Sequence, residues 1–265
     1  MGEALDARKA QTRALFDRLA PDYDAAGCFA TFGQRLVAVA GLASGQRILD
    51  VACGRGAVLF PAAERVGATG VAVGIDFSAG MVQAAQREGA RRSLSVRVLQ
   101  MDAEQLDFPD ARFDRVLCGF GMMFLPNQQA ALSEWRRVLA PGGRLAVSTW
   151  RASESADLMA VLGSMGVVQG PPPGWITEPD DLAARLSAAG CSDVEVRIDT
   201  ATFRFADLDA YWQGGRATGY RATIDGLDEA QAAQARAALA ERLRPYQQAD
   251  GYHVPASALL GTASR

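Results

Sequence analysis

Three short apolar segments of this chain end in aspartate at equal intervals. Arg47-Ile48-Leu49-Asp50, Val71-Ala72-Val73-Gly74-Ile75-Asp76 and Val96-Arg97-Val98-Leu99-Gln100-Met101-Asp102 set their acids at positions 50, 76 and 102, 26 residues apart. Each interval holds one strand and one helix-length stretch, so each is a strand–helix unit whose successive strands pair in parallel through right-handed crossovers. The three carboxylates then stand on one edge of one sheet. In open α/β sheets that carboxyl edge is where ligands bind. A single strand-end aspartate reads equally well as a turn or helix cap. Three in register beside a glycine turn point to a ligand.

The pattern continues on either side. Cys53-Gly54-Arg55-Gly56 reads as a turn and Ala57 to Val66 as the helix behind it. Ser78 is the N-cap of a helix through Glu88 that Gly89 stops. Phe113 to Cys118 is a fourth strand. Asn127 to Leu139 is a helix ended by Pro141-Gly142-Gly143, and Arg144 to Trp150 is a fifth strand. Beyond residue 151 the order is looser. Residues 152–177 read as an apolar insertion with a stiff bend at Gly170-Pro171-Pro172-Pro173-Gly174. Asp180 to Ala189 is a helix, Val194 to Ile198 a strand, Ala206 to Tyr246 mostly helical, and Ala256 to Ala263 a last strand. The expected division is an N-terminal helical lid (1–45), a nucleotide-type core (46–151), and a segment that completes the sheet and caps the site (152–265).

Composition removes several functions. The chain has 265 residues, 49% hydrophobic and 22% charged, with a formal net charge of −3. A sequence-independent nucleic-acid binder is usually strongly basic, so no nucleic-acid partner is expected. No apolar run approaches the ~20 residues of a membrane span, and Met1 to Ala10 lacks the apolar core of a signal peptide. The expectation is a cytoplasmic protein. Cys28, Cys53, Cys118 and Cys191 match no zinc spacing, so no metal is expected. Lys9 is the only lysine and His253 the only histidine. Any catalytic triad or histidine base must therefore use His253.

The glycine turn narrows the ligand. Glycines let a backbone approach a ligand closely, and the following helix start offers free N–H groups. A nicotinamide site expects G-x-G-x-x-G, which here needs glycines at 54, 56 and 59, but position 59 is Leu59. Asp50, just before the turn, also suits a cationic ligand better than a pyrophosphate. Ile48-Leu49-Asp50-Val51-Ala52-Cys53-Gly54-Arg55-Gly56 resembles the first motif of class I S-adenosylmethionine-dependent methyltransferases. Val73-Gly74-Ile75-Asp76-Phe77-Ser78 with Met81, Met101-Asp102-Ala103-Glu104, and Pro141-Gly142-Gly143 after a helix resemble their later motifs. Phe16-Asp17-Arg18-Leu19-Ala20 with Tyr23-Asp24 is similar to the N-terminal lid of the ubiquinone/menaquinone-type branch (methyltransferase type 11). The resemblance covers residues 12–150 well and the remainder in outline. Ala52 departs from it, standing where the family usually has glycine.

The resemblance implies a Rossmann-like seven-stranded sheet, mostly parallel with its last strand antiparallel, helices on both faces and a helical lid. It implies S-adenosylmethionine as cofactor and S-adenosylhomocysteine as product. Asp50, with main-chain groups of Ala52 and Gly54 and the Cys118 carbonyl, would hold the methionine part. Asp76 would take the ribose hydroxyls, Phe77 and Met81 would flank the adenine, and Asp102 with Ala103 would meet its edge. Tyr23 would close over the cofactor. An antiparallel last strand starts at the carboxyl edge, so His253, just before it, is the candidate base. Phe29, Phe120, Met123 and Trp175 are candidate acceptor contacts, as are Met122, Phe124, Met159 and Met165. The implied reaction is in-line methyl transfer to the oxygen, nitrogen or carbon of a small, largely apolar, secondary-metabolite or quinone-like acceptor. The alternatives are a non-methylating step such as cyclisation on the same fold, and a non-catalytic cofactor-binding protein. The oligomeric state is open.

Overall fold

The computed structural model describes residues 2–23, 27–151, 158–168, 175–176 and 178–265. Five parallel strands form the centre: β1 (Arg47–Val51), β2 (Val71–Asp76), β3 (Val96–Gln100), β4 (Phe113–Gly119) and β5 (Leu139–Trp150). They lie in the order β3-β2-β1-β4-β5, and two long strands, β6 (Ser192–Phe205) and β8 (Gly251–Ser264), complete the path as β5-β8-β6. β8 runs antiparallel to both of its neighbours. An eighth strand, β7 (Gln247–Gln248), is a two-residue addition paired to β8. The expected mixed sheet with one antiparallel strand is thus present.

The helices are α1 (Gly2–Leu19), α2 (Cys28–Val39), α3 (Leu59–Val66), α4 (Ala79–Arg91), α5 (Gln128–Val138), α6 (Leu158–Ser164), α7 (Pro179–Ala188), α8 (Leu208–Arg216), α9 (Arg221–Asp225) and α10 (Glu229–Leu243). Two cores sandwich the sheet because alternate strand residues face opposite ways. Ile48 packs with Phe32, Leu36, Leu59 and Ala85 from α2, α3 and α4. Leu49 packs on the other face with Trp135, Leu182 and Leu186 from α5 and α7. With helices on both faces, β1 is apolar and buried from Ile48 onward apart from Asp50, which is also buried. A third core joins α6, α8, α9 and α10 through Leu158, Trp212, Ile224 and Leu239, closing onto Val254 of β8.

Several boundaries differ from the expectation. α4 runs through Gly89 to Arg91. Gly89 is there for close approach: a Cβ on it would meet Val96 Cγ2 at 2.8 Å. α3 begins at Leu59, two residues later than Ala57. Pro141-Gly142-Gly143 does not end a helix before a loop; β5 already starts at Leu139 and the three residues form an irregularity in its pairing with β4. β6 and β8 far exceed Val194–Ile198 and Ala256–Ala263. β5 stops pairing at Trp150 opposite Ala258, whereas β6 and β8 continue as a two-stranded ribbon to Phe205 opposite Tyr252. The third core packs on that ribbon and sustains its length. The bend expected at Gly170–Gly174 and the lid residue Asp24 lie outside the described residues.

Candidate active site

A cavity of about 650 Å3 opens over the carboxyl ends of β1, β2, β3 and β4. Asp50, Asp76 and Asp102 all line it, together with Ala52 and Gly54 of the turn, Phe77, Met81, Ala103, Tyr23, Phe29 and Phe120. Seven sequence-based candidates do not, Met122, Met159 and Met165 among them. Cys118 lies completely buried in β4 behind the wall, and Gly119, next in the chain, reaches the cavity instead. Met123 is buried in the core under α2. Trp175 sits near Tyr220, ring centroids 6.5 Å apart. His253 lies on the ribbon, five residues past the last pairing with β5, where its Nε2 meets Asp250 Oδ1 at 2.8 Å. Asp250 also accepts from Arg204 Nε at 2.7 Å. The ribbon's length carries His253 beyond the edge on which a shorter strand would have set it.

The three acids have different environments. Asp50 is fully buried, and neither of its oxygens has a hydrogen-bond partner among the described residues. Burial first, and the neighbouring Asp76 second, hold its pKa well above the usual carboxylate range; the Leu59 amide opposes this from outside hydrogen-bonding geometry. Asp76 is better served. Gly54 N donates to its Oδ2 at 2.8 Å and Ser78 N to its Oδ1 at 2.9 Å. Burial still outweighs these bonds and lifts its pKa to about 6. Asp102 accepts from Glu104 N at 2.9 Å and from Lys9 Nζ at 2.7 Å. The Ala103 carbonyl next to it is held by Trp135 Nε1 at 2.9 Å, so a core tryptophan anchors the β3 loop.

The turn is tight and strained. Gly54 and Gly56 have φ of +53° and +96°. A Cβ on Gly56 would lie 2.3 Å from the Phe60 ring. Ala52 has φ of +54° and Phe120 of +57°, a left-handed backbone that is costly for residues bearing a Cβ. The methyl of Ala52 therefore sits on a strained backbone. It lies where a Cβ on Gly121 would approach it to 2.5 Å. Both strained residues border the cavity, where strain is often kept for function.

The other end of the cavity is aromatic. Tyr23 and Phe29 stack at 4.9 Å with an 11° tilt, and Phe16 meets Phe124 edge-on at 4.9 Å. Phe120 lies over Trp150 at 4.3 Å. Sequence reasoning gave no site role to Phe16, Lys9 or Arg55. Lys9, Thr12 and Phe16 share one face of α1 at i, i+3 and i+7 and all line the cavity; that spacing was the available signal. Arg55, inside the glycine turn, donates to the carbonyls of Ala20, Pro21 and Tyr23 at 2.7–3.4 Å, and so fastens the end of α1 to the turn.

Comparison with known proteins agrees with this geometry. A family model described as "Methyltransferase domain" matches residues 48–143. The chain is 40% identical over 144 residues to an aklanonic acid methyltransferase of Streptomyces sp. (strain C5), covering 53% of this chain and 66% of that one. It is 38% identical over 141 residues to a 2-phytyl-1,4-naphtoquinone methyltransferase of Synechocystis sp., covering 50% and 59%. Residues 48–143 are a class I S-adenosylmethionine-dependent methyltransferase domain. Within that family it is of the methyltransferase type 11 kind. The matches span about 59–66% of the length of these two relatives. The fold extends further than the sequence likeness: the YcgJ protein of Bacillus subtilis superposes with a TM-score of 0.60 at 18% identity, over 89% of this chain and 98% of its own.

Proposed function

We propose that this protein transfers a methyl group from S-adenosylmethionine to a small, largely apolar acceptor. One observation carries the reading: a buried carboxylate without hydrogen-bond partners among the described residues, Asp50, faces the same cavity as the glycine turn and two further strand-end acids. An isolated buried carboxylate is costly. A cationic ligand offsets that cost, and the cofactor bears an ammonium and a sulfonium. When bound, S-adenosylmethionine supplies a methyl group already activated by its sulfonium.

The chain's own residues then have these tasks. Asp50 and the backbone of Ala52 and Gly54 hold the methionine end. Asp76 keeps lone pairs free for a vicinal diol beyond the two amides it accepts. Phe77 and Met81 flank the adenine, and Asp102 with Ala103 meets its edge. Tyr23, Phe29, Phe120 and Phe124 wall the acceptor end, exclude water and orient a flat apolar molecule. Cys118, Met123, Trp175 and His253 take no direct part in this reading. The relatives named for aklanonic acid and for a naphthoquinone support a quinone-like or secondary-metabolite acceptor rather than nucleic acid. Calorimetry with S-adenosylmethionine, S-adenosylhomocysteine and NAD tests the cofactor, and a labelled-methyl assay over phenols, amines and isoprenoid quinols tests the acceptor. Binding of neither sulfur compound would overturn the proposal.

A further inference from the structure

We propose that Lys9 is a positioning residue: it latches α1 across the adenine end of the cavity and thereby sets how fast the cofactor leaves. The inference rests on the cofactor reading above. Lys9 Nζ lies 2.7 Å from Asp102 Oδ2 and 2.6 Å from Glu104 Oε2, so one ammonium bridges two carboxylates at the end of β3. The contact is sheltered, with the Lys9, Asp102 and Glu104 side chains 22%, 28% and 9% exposed. Burial works against the charge on Lys9, but the hydrogen bonds to both acids outweigh it and raise its pKa, so the ammonium persists through neutral pH. Glu104 Oε1 in turn accepts from Asn127 N at 2.7 Å, at the start of α5. The latch therefore closes onto residues tied to the start of α5.

α1 needs such a tie. Its buried apolar contacts gather at its C-terminal end, where Leu19 and Ala20 pack on Met81 with Leu15 and Phe16 beside them. That end is also fixed by Asp17, whose Oδ1 accepts from Ser78 Oγ at 2.6 Å and Gly80 N at 3.0 Å, and by Arg55. Lys9 stands more than two turns earlier, with Thr12 between it and Phe16 on the cavity-facing side. Its ammonium fastens this part of α1 to the end of β3, and one turn on Arg13 lies over the Phe77 ring at 5.4 Å. Breaking the ammonium contact frees the first turns of α1 and uncovers the adenine side, while the glycine turn and the other strand ends stay in place.

The test uses the full chain and Lys9→Met, Lys9→Arg, Glu104→Gln and the Lys9→Met/Glu104→Gln double variant. Hydrogen exchange of the ligand-free proteins reads the latch directly. Exchange of the amides over residues 5–14 should rise at least tenfold in Lys9→Met, with Lys9→Arg restoring most of the protection. Stopped-flow release of S-adenosylhomocysteine should accelerate about five- to tenfold in Lys9→Met and less in Glu104→Gln, which leaves the Asp102 pair, and the double variant should add little to Lys9→Met, which already removes the Glu104 pair. Unchanged exchange overturns the latch. A fall in melting temperature with unchanged release, or fully additive effects, overturns its role in cofactor retention. If the unaltered protein binds no S-adenosylhomocysteine, the proposed function and the retention role fail together, and the exchange measurement still decides whether Lys9 holds α1.

Discussion

Ala52→Gly is expected to stabilise a binding turn, against the usual cost of glycine. Ala52 holds φ of +54°, a left-handed conformation that costs a residue with a Cβ about 1–2 kcal/mol. Glycine removes that strain but adds freedom to the unfolded chain, worth about 0.4–1 kcal/mol. The net gain is about 0.5–1 kcal/mol, which raises the melting temperature by roughly 1–4 °C in a chain of this size. A partner substitution makes the reasoning sharper. Gly121 has φ of −87°, which any residue adopts, so the obstacle to Gly121→Ala is space alone. The new Cβ would lie 2.5 Å from the Ala52 Cβ and 3.0 Å from Cys118 Sγ, and such overpacking costs about 1–3 kcal/mol. With Ala52→Gly already present the first clash is gone and the second remains. Gly121→Ala should then cost about half as much. Urea unfolding of the four proteins, followed by circular dichroism, measures the cycle. A less stable Ala52→Gly, or an equal cost of Gly121→Ala in both backgrounds, refutes the argument.

Other perturbations probe the site. Asp76 carries a pKa of about 6, raised from 3.8 by burial; an acid raised in this way is ionised only above that value. If ribose hydroxyls bind the ionised form, S-adenosylhomocysteine affinity should fall up to tenfold per unit as pH drops below about 6, and titration calorimetry on Asp76→Asn should show no such break. Trp135→Phe leaves the Ala103 carbonyl without its donor in a fully buried place, so chemical denaturation should show a loss of about 1–3 kcal/mol. His253→Ala should leave turnover at saturating acceptor unchanged, since the side chain is bound to Asp250 away from the cavity; a large fall in turnover would return it to the reaction.

What the sequence disclosed was set by how local the cause is. The three strand-end aspartates, the glycine turn and Ser78, whose hydroxyl accepts from Met81 N at 3.1 Å, follow from spacing and from single-residue chemistry. Residues within a few positions of one another carry that information. The failures are all non-local. Gly89 reads as a helix stop until the Val96 side chain from the next strand is seen filling its missing Cβ. The reach of β6 and β8 depends on a separate core of Leu158, Trp212 and Leu239, and that reach alone moves His253 off the edge where the antiparallel last strand should have put it. Lys9 looks like a compositional accident because its two partners lie more than 90 residues away. The same contrast separates cofactor from acceptor. A cofactor shared by a family is gripped by backbone turns and strand ends, which sequence spacing encodes. The aromatic end of the cavity, proposed above for the acceptor, is walled by Phe16, Tyr23, Phe29, Phe120 and Phe124 from separate stretches of chain, so its shape exists only once α1, α2 and β4 have been brought together.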